Sequence, residues 1–83
     1  MVSSNVYRYD EKIEEDNLIL LDYELNKRGF TLYNTPYNHN PRIFVNKMGD
    51  LFVELNKDTN EVSFYASNKK GLEYLLNILK EVS

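Results

Sequence analysis

The densest group of ionisable side chains in this sequence is an acidic run near its start. Carboxylates at this spacing support two kinds of chemistry, metal coordination and the attraction of a basic partner. The helical period would place Glu11, Glu14 and Glu15 on one flank of a predicted helix. With no histidine nearby and no Asp-x-Asp-x-Asp-Gly loop, we predict no metal site. The two remaining interpretations of the acidic run are a solvated helix start and an acidic patch that docks on a basic partner. The run consists of Asp10, Glu11, Glu14, Glu15 and Asp16.

Groups suited to catalysis are scarce. The sequence contains no cysteine, which excludes a disulfide framework and a thiolate zinc site. The single histidine, His39, stands between Asn38 and Asn40 in a predicted loop and is interpreted as an exposed polar residue. The sequence has no nucleophile elbow and no glycine-rich phosphate loop. We therefore predict that the protein is not an enzyme and uses no cofactor.

A second set of candidates comes from the alternation between residues 42 and 66. Read as strands, this stretch has one apolar face and one face on which aromatic residues stand among charged and hydroxyl groups. Aromatic side chains are unusual on the second face of a half-buried sheet, so they are candidates for binding. The apolar face comprises Ile43, Val45, Leu51, Val53, Leu55, Val62, Phe64 and Ala66. The other face comprises Arg42, Phe44, Asn46, Phe52, Glu54, Ser63 and Tyr65.

The register of these strands follows from keeping the faces in phase. Phe44 is predicted to pair with Phe52 across a three-residue loop, residues 47–49, that has glycine where a positive φ is needed. Phe52 is predicted to pair with Tyr65 across the four-residue loop 57–60. These pairings predict an aromatic row, Phe44–Phe52–Tyr65.

A charged row is predicted beside the aromatic one, with Arg42 and Glu54 facing each other as a cross-strand ion pair beside Ser63. Tyr33 extends the aromatic row if its strand pairs with the strand of Phe44. Such a surface is typical of protein-binding hot spots. The alternative is cross-strand packing without function, or cover by an N-terminal arm or a dimer mate.

The periodicity predicts elements that position these residues. Leucines recur at helical spacing in two segments, and the strand pattern lies between them. Both helices need an apolar surface, so the simplest fold is a two-layer α+β domain with both helices on one sheet face. We predict a single domain, residues 1–83, with an arm or edge strand at 1–9, a helix at 10–28, a strand at 30–34, a three-stranded antiparallel meander at 42–47, 51–56 and 61–66, and a helix at 68–82.

Composition and charge narrow the partner classes. The 83 residues are 42% hydrophobic and 28% charged, with a net charge of −3. Residues 1–26 hold seven acids against two bases, whereas residues 27–83 hold six acids against eight bases. This distribution does not make a broad basic surface for nucleic acid. The first five residues lack signal-peptide features and the longest apolar run is residues 18–21, so we expect a cytoplasmic protein that does not enter the membrane.

The order helix–strand–strand–strand–helix resembles the double-stranded RNA-binding domain over about residues 10–82. Ser67 to Lys70 stands where that family has a Ser-Lys-Lys run, and Pro36 and His39 stand in the loop of its Gly-Pro-x-His signature. No glycine precedes Pro36, and His39 is displaced by one residue. The resemblance implies that Lys69, Lys70 and His39 would contact the phosphates of a nucleic acid.

The sequence favours a small protein-binding module. Small acidic α+β chains of this composition are similar to phage-encoded inhibitors, including anti-CRISPR proteins, in size and style. The predicted contacts are the aromatic sheet face and the acidic start of the first helix, and homodimerisation through the sheet face is a variant. A nucleic-acid-binding domain and a structural subunit are the alternatives.

Overall fold

The computed structural model describes residues 6–33 and 40–83, which form five antiparallel strands and two helices. The α+β class is confirmed, but the sheet is larger than a three-stranded meander with one short strand. Its spatial order is β1–β5–β4–β3–β2. In chain order the elements are β1 (Tyr7–Lys12), α1 (Glu15–Lys27), β2 (Thr31–Leu32), β3 (Arg42–Val45), β4 (Leu51–Asn56), β5 (Glu61–Ala66) and α2 (Lys69–Val82).

Both helices lie on the same face of the sheet, as the apolar stripes predict. Strand residues on this face are buried in alternation, and the leucine stripes of the helices complete the core. Gly71 lets α2 approach closely, because a Cβ there would stand 2.7 Å from the Leu51 side chain. The core consists of Leu18, Leu21, Leu25, Phe30, Phe44, Leu51, Val53, Leu55, Val62, Phe64, Ala66, Leu75, Ile78 and Leu79.

The start of the first helix differs from the prediction. Residues 10–12 belong to β1, which pairs antiparallel with β5, and α1 begins only at Glu15. Strand pairing of Asp10 with Ser63 satisfies backbone groups that a helix start would leave exposed. An edge strand needs no alternating apolar pattern, and the charged residues 10–12 therefore have the composition that also predicts the first turn of a helix. Just beyond the other end of α1, Gly29 has a positive φ of 92°, the left-handed conformation in which many helices end.

The hairpin between β3 and β4 has a register one residue away from the predicted one. Phe44 pairs with Val53, and Val45 pairs with Phe52, so the predicted pairing of Phe44 with Phe52 is wrong. The backbone N–H of Asn46 donates a hydrogen bond of 3.2 Å to the Leu51 carbonyl, so the turn between these two residues has four residues, 47–50. The Asn46 side-chain oxygen stabilises it by accepting hydrogen bonds of 3.0 Å from the backbone N–H groups of residues 50 and 51. Consequently Phe44 is fully buried against the helices.

The hairpin between β4 and β5 follows the predicted register. Phe52 pairs with Tyr65 and Leu55 with Val62. The loop 57–60 ends on Asn60, whose φ is 60°, a conformation that asparagine tolerates better than most residues. Asn68 then caps α2, where its side chain accepts a hydrogen bond of 2.8 Å from the N–H of Gly71.

Three element ends also differ in detail. The predicted strand 30–34 is the two-residue β2, with residue 34 outside the described part of the chain, and the predicted strand 42–47 ends at Val45.

Neither helix in the described ranges is long and apolar enough to cross a membrane.

Candidate binding face

The sheet face opposite the helices is the candidate functional surface, and we call it the open face. Within residues 6–33 and 40–83, neither helix packs on it. Every second residue of each strand has its side chain on this face, because neighbouring residues along a strand point to opposite sides of the sheet. Its central side chains are Tyr33, Ile43, Val45, Phe52, Glu54, Ser63, Tyr65, Arg8 and Asp10.

One half of the open face is apolar and aromatic. The ring of Tyr33 meets the ring of Phe52 edge-on, with centroids 5.9 Å apart and planes at 82°. Tyr33 is 67% exposed, whereas Phe52 is half-buried. The two rings form part of the wall of a shallow hollow of 390 Å³. Its lining is Val6, Tyr33, Ile43, Phe52, Glu54 and Tyr65.

The other half of the open face is a polar network that spans three strands. The Tyr65 hydroxyl donates a hydrogen bond of 2.8 Å to Oε1 of Glu54. The Arg8 guanidinium lies 5.0 Å from the centroid of the Tyr65 ring and forms an ion pair of 3.1 Å with Asp10. Asp10 also accepts a hydrogen bond of 2.5 Å from the Ser63 hydroxyl. These contacts hold Tyr65 between a cation on one strand and a carboxylate on another.

The network shifts the pKa values of Tyr65 and Asp10. Burial raises the pKa of Tyr65, and the hydrogen bond to Glu54 raises it further. The hydrogen bond from Ser63 lowers the pKa of Asp10, and the neighbouring Arg8 guanidinium lowers it as well. At neutral pH Tyr65 is therefore a hydrogen-bond donor and Asp10 a carboxylate.

Of the six contact residues predicted for the sheet, four meet on the open face and two do not. Phe52, Tyr65, Glu54 and Tyr33 come together there. Phe44 is in the core, because the one-residue shift in register reverses the side to which it points.

Arg42 lies with α1 on the helix side of the sheet. Its guanidinium binds the carboxylate of Asp22 with contacts of 2.6 and 3.2 Å. Its cross-strand partner is Leu55, so the predicted ion pair with Glu54 is wrong. The same shift in register that buries Phe44 moves Arg42 off the open face.

The predicted acidic flank is also divided between elements. Glu11 lies on β1, where its carboxylate accepts a hydrogen bond from the Tyr9 hydroxyl. Glu14 precedes α1 at the N-cap position without a side-chain capping bond, and Glu15 is the first residue of the helix. The three residues therefore do not share one side of a helix. Among the described residues, no cluster of histidine or acidic side chains has the geometry to hold a metal ion.

The residues of the nucleic-acid alternative lie elsewhere. Lys69 and Lys70 are exposed in the first turn of α2, in the helix layer. His39 lies outside the described residues. Lys69 and Lys70 therefore lie in a different layer from the aromatic half of the open face.

A larger hollow of 520 Å³ lies between α1 and the ends of β3 and β4. Two of its charged groups, Asp22 and Arg42, bind each other, and Asp22 also accepts a hydrogen bond of 3.1 Å from Asn26. The lining of this hollow includes one aromatic residue, Tyr23, whereas the hollow on the open face groups three, so the open face has more of the composition of an interface hot spot.

Several residues of the open face are not predicted there from the sequence. The sequence predicts an arm or an edge strand for Arg8, and the edge strand is what the structure shows, whereas Asp10 is predicted in the helix and instead lies on the same strand. The predicted core positions of Ile43 and Val45 are both wrong, because Ile43, Phe44 and Val45 are all apolar and their order alone does not define the buried side.

Comparison with family models, curated proteins and solved structures found no match for the chain.

Proposed function

We propose that this chain is a small protein-binding module that acts by occupying a partner's surface, as an inhibitor does. The open face is the proposed contact. The observation that carries the proposal is the hollow formed by Tyr33, Ile43, Phe52 and Tyr65 on a sheet face that bears neither helix. Aromatic side chains grouped at the centre of a surface and bordered by charged groups are the usual composition of interface hot spots.

The electrostatics of the open face favour protein over nucleic acid. Glu54 borders the aromatic half, and Asp10 stands in the adjoining polar network. Both carboxylates would repel phosphates, and Arg8 is already paired with Asp10. A protein surface can instead match a mixture of apolar and charged groups.

The acidic residues at the start of α1, Glu14 and Glu15, are a proposed second contact, and electrostatic steering toward a basic partner is their proposed role. The cytoplasm is the proposed site of action, an expectation based on the absence of cysteine from the sequence. In this proposal the chain performs no chemistry and needs no cofactor or metal.

Affinity capture with matched variants tests the proposal. The tagged chain, its Phe52→Ser variant and its Tyr74→Ser variant are each incubated with an extract of the cells that encode the chain. Tyr74 is a suitable control because it is an exposed aromatic residue in the helix layer, 41% accessible. Circular dichroism first establishes that all three proteins are folded.

The proposal predicts a protein captured by the unmodified chain and by Tyr74→Ser, and lost from Phe52→Ser. Equal capture by all three proteins would refute the open face as the contact. A partner lost only from Tyr74→Ser would move the contact to the helix layer.

A further inference from the structure

We propose that the hollow on the open face receives an arginine or lysine side chain of the partner protein. This inference rests on the proposed function and specifies the chemistry of the partner. Apolar walls would contact the aliphatic stem of the side chain, and Glu54 would bind its terminal cation.

The walls of the hollow suit an elongated side chain with an apolar stem. The Tyr33 and Phe52 rings stand almost perpendicular, at 82°, and so offer two faces of a corner. Ile43 and Val6 add aliphatic surface. The volume of 390 Å³ lies within the range of about 300–1,000 Å³ that is usual for ligand pockets.

The charge of Glu54 decides which side chain fits. Glu54 is half-buried, and its Oε1 accepts the hydrogen bond from Tyr65. None of the ion pairs found within the described ranges includes Glu54. The Arg8 guanidinium attracts Glu54 at longer range, but its direct ion pair is with Asp10. A neutral apolar side chain in the hollow would displace the water that solvates this carboxylate and would offer no hydrogen bond in its place, which costs free energy. A cation would compensate the charge and form a charge-assisted hydrogen bond.

The open face already places one cation against an aromatic ring. The Arg8 guanidinium lies 5.0 Å from the centroid of the Tyr65 ring, a distance within the range of cation–π attraction. Arg8 thus covers Tyr65, and the rings of Tyr33 and Phe52 are the ones proposed to contact the incoming side chain. The combination of aromatic rings with a carboxylate is the chemistry by which proteins recognise ammonium and guanidinium groups.

Amide NMR with matched peptides tests the inference directly. Three peptides of the form Gly-Ser-X-Ser-Gly carry arginine, lysine or norleucine at X, and both ends are blocked so that the side chain at X is the only group that can carry a charge. Norleucine keeps the aliphatic stem and removes the cation. Each peptide is titrated into the isotope-labelled chain, into Glu54→Gln and into Glu61→Gln, which neutralises an exposed acid on the neighbouring strand.

The arginine and lysine peptides are expected to shift the amide signals of Tyr33, Phe52 and Glu54, and the stronger of the two identifies the preferred cation. The norleucine peptide is expected to bind at least tenfold more weakly. Glu54→Gln should reduce binding of the charged peptides by a similar factor, and Glu61→Gln should not.

Three results would overturn the inference: equal binding of norleucine, undiminished binding by Glu54→Gln, or no shift at these amides with any peptide. Movement of the same signals on simple dilution of the protein would also overturn it, because a second copy of the chain would then occupy the hollow. These outcomes are distinguishable from failure of the proposed function. A partner lost from Phe52→Ser but retained by Glu54→Gln would preserve the protein-binding face and reject the cationic ligand.

Discussion

The hydroxyl of Tyr65 and the carboxylate of Glu54, on adjacent strands β5 and β4, are joined by a hydrogen bond of 2.8 Å. The two residues are diagonal neighbours, since Tyr65 pairs with Phe52 and Glu54 pairs with Ser63. The bond connects the aromatic half of the open face to its polar half. It also fixes the direction of the Glu54 carboxylate at the edge of the hollow, which is where the proposed ligand cation would lie.

The first prediction concerns the ionisation of Tyr65. Its pKa is raised above the ordinary value of 10.0 by burial and by the bond to Glu54, so the folded state holds this proton more tightly than the unfolded state. The associated stability is fully present below about pH 10 and is lost as the pH rises through the folded-state pKa. In a spectroscopic tyrosine titration, Tyr65→Phe should remove one late-ionising group. Loss of an early-ionising group instead would contradict the described contact.

The second prediction separates the two faces of β3. Phe44→Ala should lower the free energy of unfolding by about 3–5 kcal/mol, because Phe44 is fully buried in the core. Ile43→Ala removes side-chain contacts on the open face and should cost about 1 kcal/mol or less. Urea denaturation measures both values. A larger loss from Ile43→Ala would indicate the alternative register, in which Phe44 faces solvent.

The third prediction concerns the turn that fixes this register. The Asn46 side chain accepts hydrogen bonds from two backbone N–H groups and donates one of 2.7 Å to the Asp50 carboxylate. Asn46→Ala should therefore reduce stability by about 1–2 kcal/mol. Lys47→Ala, at the exposed neighbouring position, is the control and should be nearly neutral. Equal effects in denaturant would show that the side chain of Asn46 does not hold the loop.

The fourth prediction addresses the nucleic-acid alternative. Because carboxylates stand on the open face and the chain carries a net charge of −3, we expect no retarded complex with duplex RNA in a gel-shift series across salt concentrations. A complex that weakens steeply with salt and disappears in the Lys69→Ala/Lys70→Ala variant would contradict the protein-binding proposal.

The sequence was sufficient to predict the arrangement of the elements whose two faces differ clearly in polarity. β4 and β5 alternate without ambiguity, so their register and the pairing of Phe52 with Tyr65 could be predicted. The leucine stripes likewise predicted that both helices share one side of the sheet. These elements supply Phe52, Glu54 and Tyr65, which form the centre of the candidate site.

The remaining features depend on contacts that alternation does not encode. In β3, residues 43–45 are all apolar, so the turn at residues 47–50, which is one residue longer than predicted and is stabilised by the Asn46 side chain, decides which of them is buried. In β1, an edge strand with charged residues on its open side has the local composition of a helix start. Pairing with β5, about fifty residues later in the chain, is what places Arg8 and Asp10 beside Tyr65.

Site-directed photocrosslinking tests the central claim, that the open face contacts a partner protein, most directly. A photoreactive phenylalanine analogue is placed at Tyr33, which is 67% exposed beside Phe52, and in a separate protein at Tyr74 in the helix layer. Irradiation in an extract of the cells that encode the chain should link position 33, and not position 74, to a second protein that mass spectrometry identifies as different from this chain. Crosslinks from position 74 alone, or no crosslink from position 33, would contradict the claim.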